Sequence, residues 1–235
     1  MSTKISQKIQ EWATSGSLSS NSVNGLSQWL TAPEFAGFSD EIEDLVSTDG
    51  LVELEDAFRT HIEFGTGGIR GKMGPGPNRI NLRTIGEAAQ GLANYIQQAN
   101  PKDPSVVIAH DTRNNSEVFA REVASIVAGN GLTARLFNGH RSTPELSFAL
   151  RKTGASAGVV ISASHNPPSD NGFKAYWSDG GQVVAPHDKA IMAEVRSVEK
   201  IKHLDFDEGI TSGGIQYLGK EIDTEYHERL TELSL

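Results

Sequence analysis

Ala157-Gly158-Val159-Val160-Ile161-Ser162-Ala163-Ser164-His165-Asn166-Pro167-Pro168-Ser169-Asp170-Asn171-Gly172-Phe173-Lys174 is the stretch on which the reading of this chain turns. Residues 157–162 form a contiguous apolar, β-branched run flanked by glycine and polar residues, the pattern of a short buried strand. The paired prolines stop further ladder pairing. Gly172 to Trp177 then resumes a strand, and Ser178-Asp179-Gly180-Gly181 is expected to turn it into Gln182-Val183-Val184 as a hairpin. Ser164 therefore falls on a loop held between two strands, and Lys174 returns on the second.

Upstream, the pattern alternates between strand and helix, which is the signature of an α/β layer structure. Ser105 to Ala109 and Leu132 to Phe137 read as strands. A helix with Ser116 as its expected cap runs between them to Gly129, and Thr143-Pro144-Glu145 opens another that ends near Gly154. Before Phe64 the chain reads as helical, with Ile5, Ile9 and Trp12 on one face and Ile42, Leu45 and Val46 following an expected cap at Ser39. After the hairpin, Pro186 starts a helix to about Val198. Thr211-Ser212-Gly213-Gly214 resembles a linker, and Glu221 to Leu235 reads as an amphipathic helix carrying Ile222, Tyr226, Leu230 and Leu233 on one side. That apolar face arrives as the sequence stops, so its packing partner is expected in residues beyond Leu235.

Composition narrows the function classes. A chain of 235 residues with 37% hydrophobic and 22% charged residues can bury a proper core. Its net charge of -9, with no Lys/Arg-rich stretch, argues against a nucleic-acid partner. The absence of cysteine excludes disulfides, a thiolate nucleophile and a Cys-ligated zinc. The amino terminus lacks the apolar core of a signal peptide and no run reaches transmembrane length, so a cytoplasmic protein with no membrane association is expected.

Several motifs could carry chemistry. The cluster Phe64-Gly65-Thr66-Gly67-Gly68-Ile69-Arg70-Gly71-Lys72-Met73-Gly74 could bring backbone amides and two cations to an anion, or form a structural turn. It is neither a dinucleotide fingerprint, which needs glycine where Arg70 stands, nor a P-loop, which needs glycine at Thr66 and a hydroxyl at Met73. His110-Asp111-Thr112-Arg113 follows a strand, where open α/β sheets place ligand groups, although an Asp111–Arg113 pair that orients the loop is the simpler reading. Gly139-His140-Arg141-Ser142-Thr143-Pro144 is a second strand end before a helix, able to support an anion or to be plain loop. A hydrolase pairing of Ser164 with His165 is disfavoured, because adjacent side chains rarely aim at each other and the G-x-S-x-G elbow is absent. Asp205-Phe206-Asp207-Glu208 reads as a solvated acidic segment rather than a metal cluster.

Taken in order, FGTGGIRG, HDTR, STPE and SASHNPPSDNGFK resemble the first domain of the α-D-phosphohexomutases, the phosphoglucomutase and phosphomannomutase superfamily, over about residues 61–200. The continuation from Gly71 through Asn78-Arg79-Ile80-Asn81 is most similar to the phosphoglucomutase branch that includes phosphopentomutase-like members. The family's usual threonine two residues before the serine is Ser162 here, which keeps the hydroxyl. The resemblance implies an α/β fold, a three-layer domain with a mixed β-sheet between helices, preceded by a helical N-terminal extension. Its implied organisation is an extension over residues 1–60, domain I over 61–212, and a linker with the opening helix of a second domain over 213–235.

By the same resemblance, Ser164 is a phosphoserine that donates a phosphoryl group to a sugar phosphate and regains it. Lys174 is a proton shuttle or electrostatic stabiliser, Arg70 contacts the transferring group, and His165, Asn166, Asp111, Arg113 and Thr143 support the loop or the substrate. A Mg2+ ion would bind one phosphoryl oxygen on Ser164. The implied function interconverts glucose 1-phosphate and glucose 6-phosphate, with glucose 1,6-bisphosphate as activator and intermediate. The family's metal-binding aspartates, its sugar-recognition domain and its second phosphate site, in domains II to IV, have no counterpart here, and Asp205 with Asp207 lies too early to supply the metal loop. The isolated chain is therefore expected to be nearly inactive. The competing expectations are a stand-alone, non-catalytic phospho-ligand or protein-interaction module, and a fragment of a phosphopentomutase or phosphomannomutase.

Overall fold

The computed structural model describes residues 3–65, 67–99, 101–102 and 104–233; Thr66 of the glycine cluster and Leu235 at the end of the expected C-terminal helix lie outside them. The chain divides into two compact units, Met1–Glu63 with Gly71–Thr84, and Phe64–Arg70 with Ile85–Leu235.

The first unit is helical: α1 (Thr3–Thr14), α2 (Ser20–Thr31), a 3-10 turn over Pro33–Phe38, α3 (Ser39–Ser47) and α4 (Leu51–Phe58). Ile5 and Ile9 on α1 are buried as their spacing requires, and Trp12 packs beside them. The core closes around Trp29, whose ring stacks on Phe35 at 4.5 Å and meets Phe58 edge-on at 5.6 Å. Ser39 does not cap α3: its own backbone is already helical, at φ -60° and ψ -45°, so its hydroxyl cannot take the capping position. The returning segment 71–84 is fastened by ion pairs. The buried Arg79 guanidinium lies 2.8 Å from Glu53 and 2.7 Å from Asp56, while Lys72 reaches Glu53 at 2.6 Å. Burial pushes Glu53 up, but the bonds from Lys72 and Arg79 outweigh it and hold the carboxyl below its ordinary range.

Apart from Gly71 and Lys72 at the end of its first strand, the second unit carries a six-stranded mixed sheet, consisting of β1 (Gly68–Lys72), β2 (Ser105–His110), β3 (Thr133–Phe137), β4 (Ala157–Ile161), β5 (Asp170–Trp177) and β6 (Ile215–Leu218) in the order β1-β5-β4-β2-β3-β6. Strands β4, β2, β3 and β6 run parallel, and β5 returns antiparallel to β4. Every residue of β2 and β4 is buried, as a parallel strand covered on both faces demands. The helices of this unit are α5 (Leu82–Ala99), α6 (Ser116–Gly129), α7 (Thr143–Thr153), α8 (His187–Arg196), α9 (Phe206–Ser212) and α10 (Lys220–Leu233). Val107, Ala109 and Val160 pack with Leu146, Ala149 and Leu150 of α7 and with Ile222 of α10. Strand alternation sends Val106 and Ile108, fully buried, to the opposite face, completing three layers.

Three local readings change. Ser116 is the first residue of α6 rather than its cap; left-handed Asn115 holds the cap position, and the Ser116 hydroxyl is committed to Asp111 at 2.7 Å. The expected hairpin shrinks to one bridge, Tyr176 to Gln182, because the open edge of β5 is taken by β1, where the Ala175 N–H donates to the Gly67 carbonyl at 2.7 Å. The segment 211–214 is the end of α9 and a glycine turn into β6, a strand that the sequence reading lacks; Gly213 at φ +78° makes the turn. Asp205 caps α9 through bonds from the Asp207 and Glu208 amides, which explains that acidic cluster. On α10, Ile222 is buried, while Leu230 and Leu233 are exposed.

β1 and β5 approach so closely that a Cβ on Gly68, at φ +152°, would land on the Phe173 carbonyl oxygen. Gly68→Ala is expected to cost about 3 kcal/mol in denaturant unfolding, from combined clash and backbone strain. Gly213→Ala, where a Cβ meets open space at φ +78°, should cost only about 1 kcal/mol.

Candidate active site

The parallel strands end on one edge of the sheet, and three of the candidate segments lie there: His110–Arg113 after β2, Gly139–Ser142 after β3 and Ser162–Ser169 after β4. This carboxyl edge is where open α/β sheets bind ligands. The Ser164 loop leaves β4 and re-enters β5, and the Ser162 N–H donating to the Gly172 carbonyl at 3.0 Å closes its neck.

Ser164 is exposed and adopts φ +58°, a left-handed backbone uncommon for serine. Its N–H donates to the Ser162 hydroxyl at 2.9 Å, so Ser162 holds the turn from two residues upstream. Its Oγ lies 3.3 Å from Nδ1 of His165. The two neighbouring side chains thus do meet, against the expectation from sequence, because the left-handed turn breaks the alternation that would aim them apart.

Asn166 donates to the Asp170 carboxylate at 2.8 Å, tying the two sides of the loop. Asp111 accepts from the Arg113 N–H at 3.0 Å and from Ser116 Oγ at 2.7 Å, and pairs with the Arg113 side chain at 3.5 Å. The orienting pair foreseen for HDTR is therefore present. Fully buried Asn171 donates to Ser116 Oγ at 2.9 Å and to the Asn114 carbonyl at 3.0 Å, joining the start of β5 to the start of α6. Ser116 and Asn171 escaped sequence reasoning as site-building residues; the only cue was a polar pair beside segments otherwise read as cap and turn.

Lys174, part-buried on β5 opposite Val160, has its pKa lowered by burial and then by the positive charges of Arg70 and Arg113, with Asp111 pulling the other way. Arg70 is exposed on β1. Arg70, Asp111, Arg113 and Lys174 thus share one electrostatic neighbourhood. Thr143 stands apart from them in its bonding: its hydroxyl engages Tyr176, whose phenol is pushed up by burial. Ser142 accepts from the Glu145 N–H and caps α7. No group of three or more His, Cys, Asp or Glu residues among the described residues could hold a metal ion.

A family model described as phosphoglucomutase/phosphomannomutase, alpha/beta/alpha domain I matches residues 61–202. The chain belongs to this family. A phosphoglucomutase of Staphylococcus saprophyticus is 38% identical over 195 residues, which cover 82% of this chain and 35% of that protein. A phosphoribomutase of Saccharomyces cerevisiae is 34% identical over 216 residues, 88% of this chain and 35% of that protein. Among solved structures, a Thermus thermophilus protein assigned as a phosphomannomutase superposes with a TM-score of 0.59 at 32% identity, over 68% of this chain and 34% of that one. This domain I chain therefore spans about a third of the length of these phosphomutase relatives. No helix among its described residues is long and apolar enough to cross a membrane.

The charges around Lys174 make a directional test. Arg70→Gln should raise the Lys174 pKa and Asp111→Asn should lower it further, because the first removes a repelling cation and the second an attracting anion. Titration of the Lys174 Nζ signal by NMR reads both shifts, and equal values in all three proteins would refute the assignment.

Proposed function

We propose that this chain is the serine-bearing part of a phosphoglucomutase-like enzyme, in which Ser164 carries a phosphoryl group between positions of a sugar phosphate. The observation that carries the reading is the presentation of an exposed serine hydroxyl at the apex of a tied loop, on the carboxyl edge of the sheet, together with a lysine whose pKa is lowered. Membership of a family whose relatives are phosphomutases supports it.

In the proposed reaction, the sugar hydroxyl oxygen bonds to phosphorus as the Ser164 Oγ–P bond breaks. The hydroxyl proton passes to Nζ of Lys174, whose lowered pKa enlarges the neutral fraction able to accept it, and Lys174 hands that proton to the departing Ser164 oxygen, which leaves as a hydroxyl. Arg70, exposed beside Lys174, holds the phosphoryl oxygens through charge-assisted bonds. The sugar bisphosphate so formed then returns its other phosphoryl group: Ser164 Oγ bonds to that phosphorus as the sugar O–P bond breaks, and the serine proton passes through Lys174 to the freed sugar oxygen. The proposed substrates are glucose 1-phosphate and glucose 6-phosphate, with glucose 1,6-bisphosphate as the intermediate. A pentose phosphate is the second reading, favoured by the phosphoribomutase match across 88% of this chain.

Magnesium, where bound, would neutralise charge on the phosphoryl oxygens. The described residues do not complete a site for it, since they contain no cluster of three carboxylates or imidazoles to add to the Ser164 oxygen. The proposal therefore assigns the remaining metal ligands, sugar recognition and the second phosphate site to the further domains of a longer mutase.

Tandem mass spectrometry of the whole protein after incubation with glucose 1,6-bisphosphate should find one phosphoryl group on Ser164, and none after Ser164→Ala. An active enzyme with no phosphate on Ser164 would sink the mechanism. Comparing kcat/KM for glucose 1-phosphate and ribose 1-phosphate decides between the two sugar classes.

A further inference from the structure

We infer that Arg113 is the positioning residue that sets the Ser164 loop for transfer, and that it takes no part in binding the transferred phosphoryl group. The inference deepens the phosphoserine reading and rests on it.

Two arginines lie within electrostatic reach of Lys174, Arg70 and Arg113. By charge alone either could receive a phosphate. Their hydrogen bonding separates them. A guanidinium has five N–H donors in a rigid planar fork. Nη2 of Arg113 donates to the carbonyls of Ser164 at 2.7 Å and Asn166 at 2.6 Å. Nη1 donates to those of Pro167 at 2.8 Å and Asp170 at 3.2 Å. Nε faces the Asp111 carboxylate at 3.5 Å. All four Nη donors have a carbonyl acceptor of their own and Nε is turned to Asp111, so the outer edge of the fork is committed to the loop rather than to a substrate.

The loop needs this fork because of its sequence. Pro167 and Pro168 interrupt ladder pairing, and the carbonyls of Ser164, Asn166, Pro167 and Asp170 converge on the Arg113 guanidinium. Arg113 gathers all four, and Asp111 fixes the fork from behind while itself held by Ser116. The carbonyl of Ser164 is among those gathered, so the residue at φ +58° is held on its carboxyl side by Arg113 and on its amide side by Ser162. Ser164, Pro167 and Ser169 are exposed, which lets water replace lost bonds. Removing the fork should therefore cost little stability and much alignment, and misplacement of a reacting group by about 1 Å costs on the order of 100-fold in rate.

The test is Arg113→Lys in the whole protein, which keeps the charge and loses the planar fork. The expected result is kcat lower by about 100-fold, KM for the sugar phosphate within about twofold, and a pH–rate profile whose Lys174-dependent limb does not move. Arg113→Met should show the same loss with that limb shifted to higher pH, because a cation that depresses Lys174 is gone. Arg70→Lys should instead raise KM. A wild-type kcat in Arg113→Lys, or a raised KM with kcat unchanged, overturns the inference. Should Arg113→Lys not fold, Asp111→Asn leaves the fork in place but loosens its anchor; about a tenfold loss of kcat at the pH plateau is expected, and wild-type kcat there is equally decisive. If Ser164 of the unmutated protein never carries phosphate, the phosphoserine reading fails first, whatever these variants show.

Discussion

The constraint on which the rest of this structure depends is the antiparallel return of β5 beside a buried parallel strand. β4 pairs with β2 on one side and β5 on the other, so the chain leaving β4 at Ile161 has to reverse within the loop and come back in register by Phe173. That reversal places Ser164 at the tip and Lys174 on the returning strand. It also leaves the carbonyls of Ser164, Asn166, Pro167 and Asp170 turned toward the Arg113 guanidinium, which holds them in one arrangement. Close approach of β1 completes the arrangement. Gly68 and Gly172 let the two backbones come within a distance that a Cβ would forbid, so Arg70 sits alongside Lys174.

The charges follow from this packing. Lys174 is half-buried between strands and faces two guanidinium groups, so its proton is held less tightly than in water, while Asp111 limits the effect. The arginines differ in what surrounds them rather than in their own chemistry. Arg113 is enclosed by carbonyl oxygens, whereas Arg70 lies exposed on β1. A layer of neutral polar residues, Ser116 and Asn171 above all, links the loop to the start of α6 without adding charge. Away from this edge, a second charged group joins α7 to α10, where Arg141 meets Asp223 in a two-pronged pair with Glu145 close by.

Much of the fold was legible. Contiguous apolar runs mark β2 and β4 because strands covered on both faces have no polar side, and Pro144 with Gly154 brackets α7 as its caps require. β6 was not legible, since four residues after two glycines carry too little pattern to separate a strand from a linker, and pairing with β3 is what makes them one. Ser39 and Ser116 were misread for a shared reason: a serine at a helix start signals a cap only if its backbone is still extended, and both already stand inside the helix. The site residues were legible as types, since a serine, a lysine and an arginine near glycines stand out. Their roles relative to one another were not.

By itself, the sequence determined the alternation of strands and helices, the loop that carries Ser164 and the family to which the chain belongs. The elements and the loop follow from short-range properties, namely apolar periodicity, proline's missing donor and glycine's permitted conformations, whereas the family is carried by the ordered motifs and the match to residues 61–202. The tertiary structure alone decided that His165 meets Ser164, that Asn171 joins the site through Ser116, and that Arg113 faces inward to the loop. The first depends on a left-handed turn held by bonds from outside the pair, and the other two on residues far apart in sequence being brought within hydrogen-bond distance. Backbone carbonyls, which are the same in every residue, become specific partners only once the chain has been folded around them.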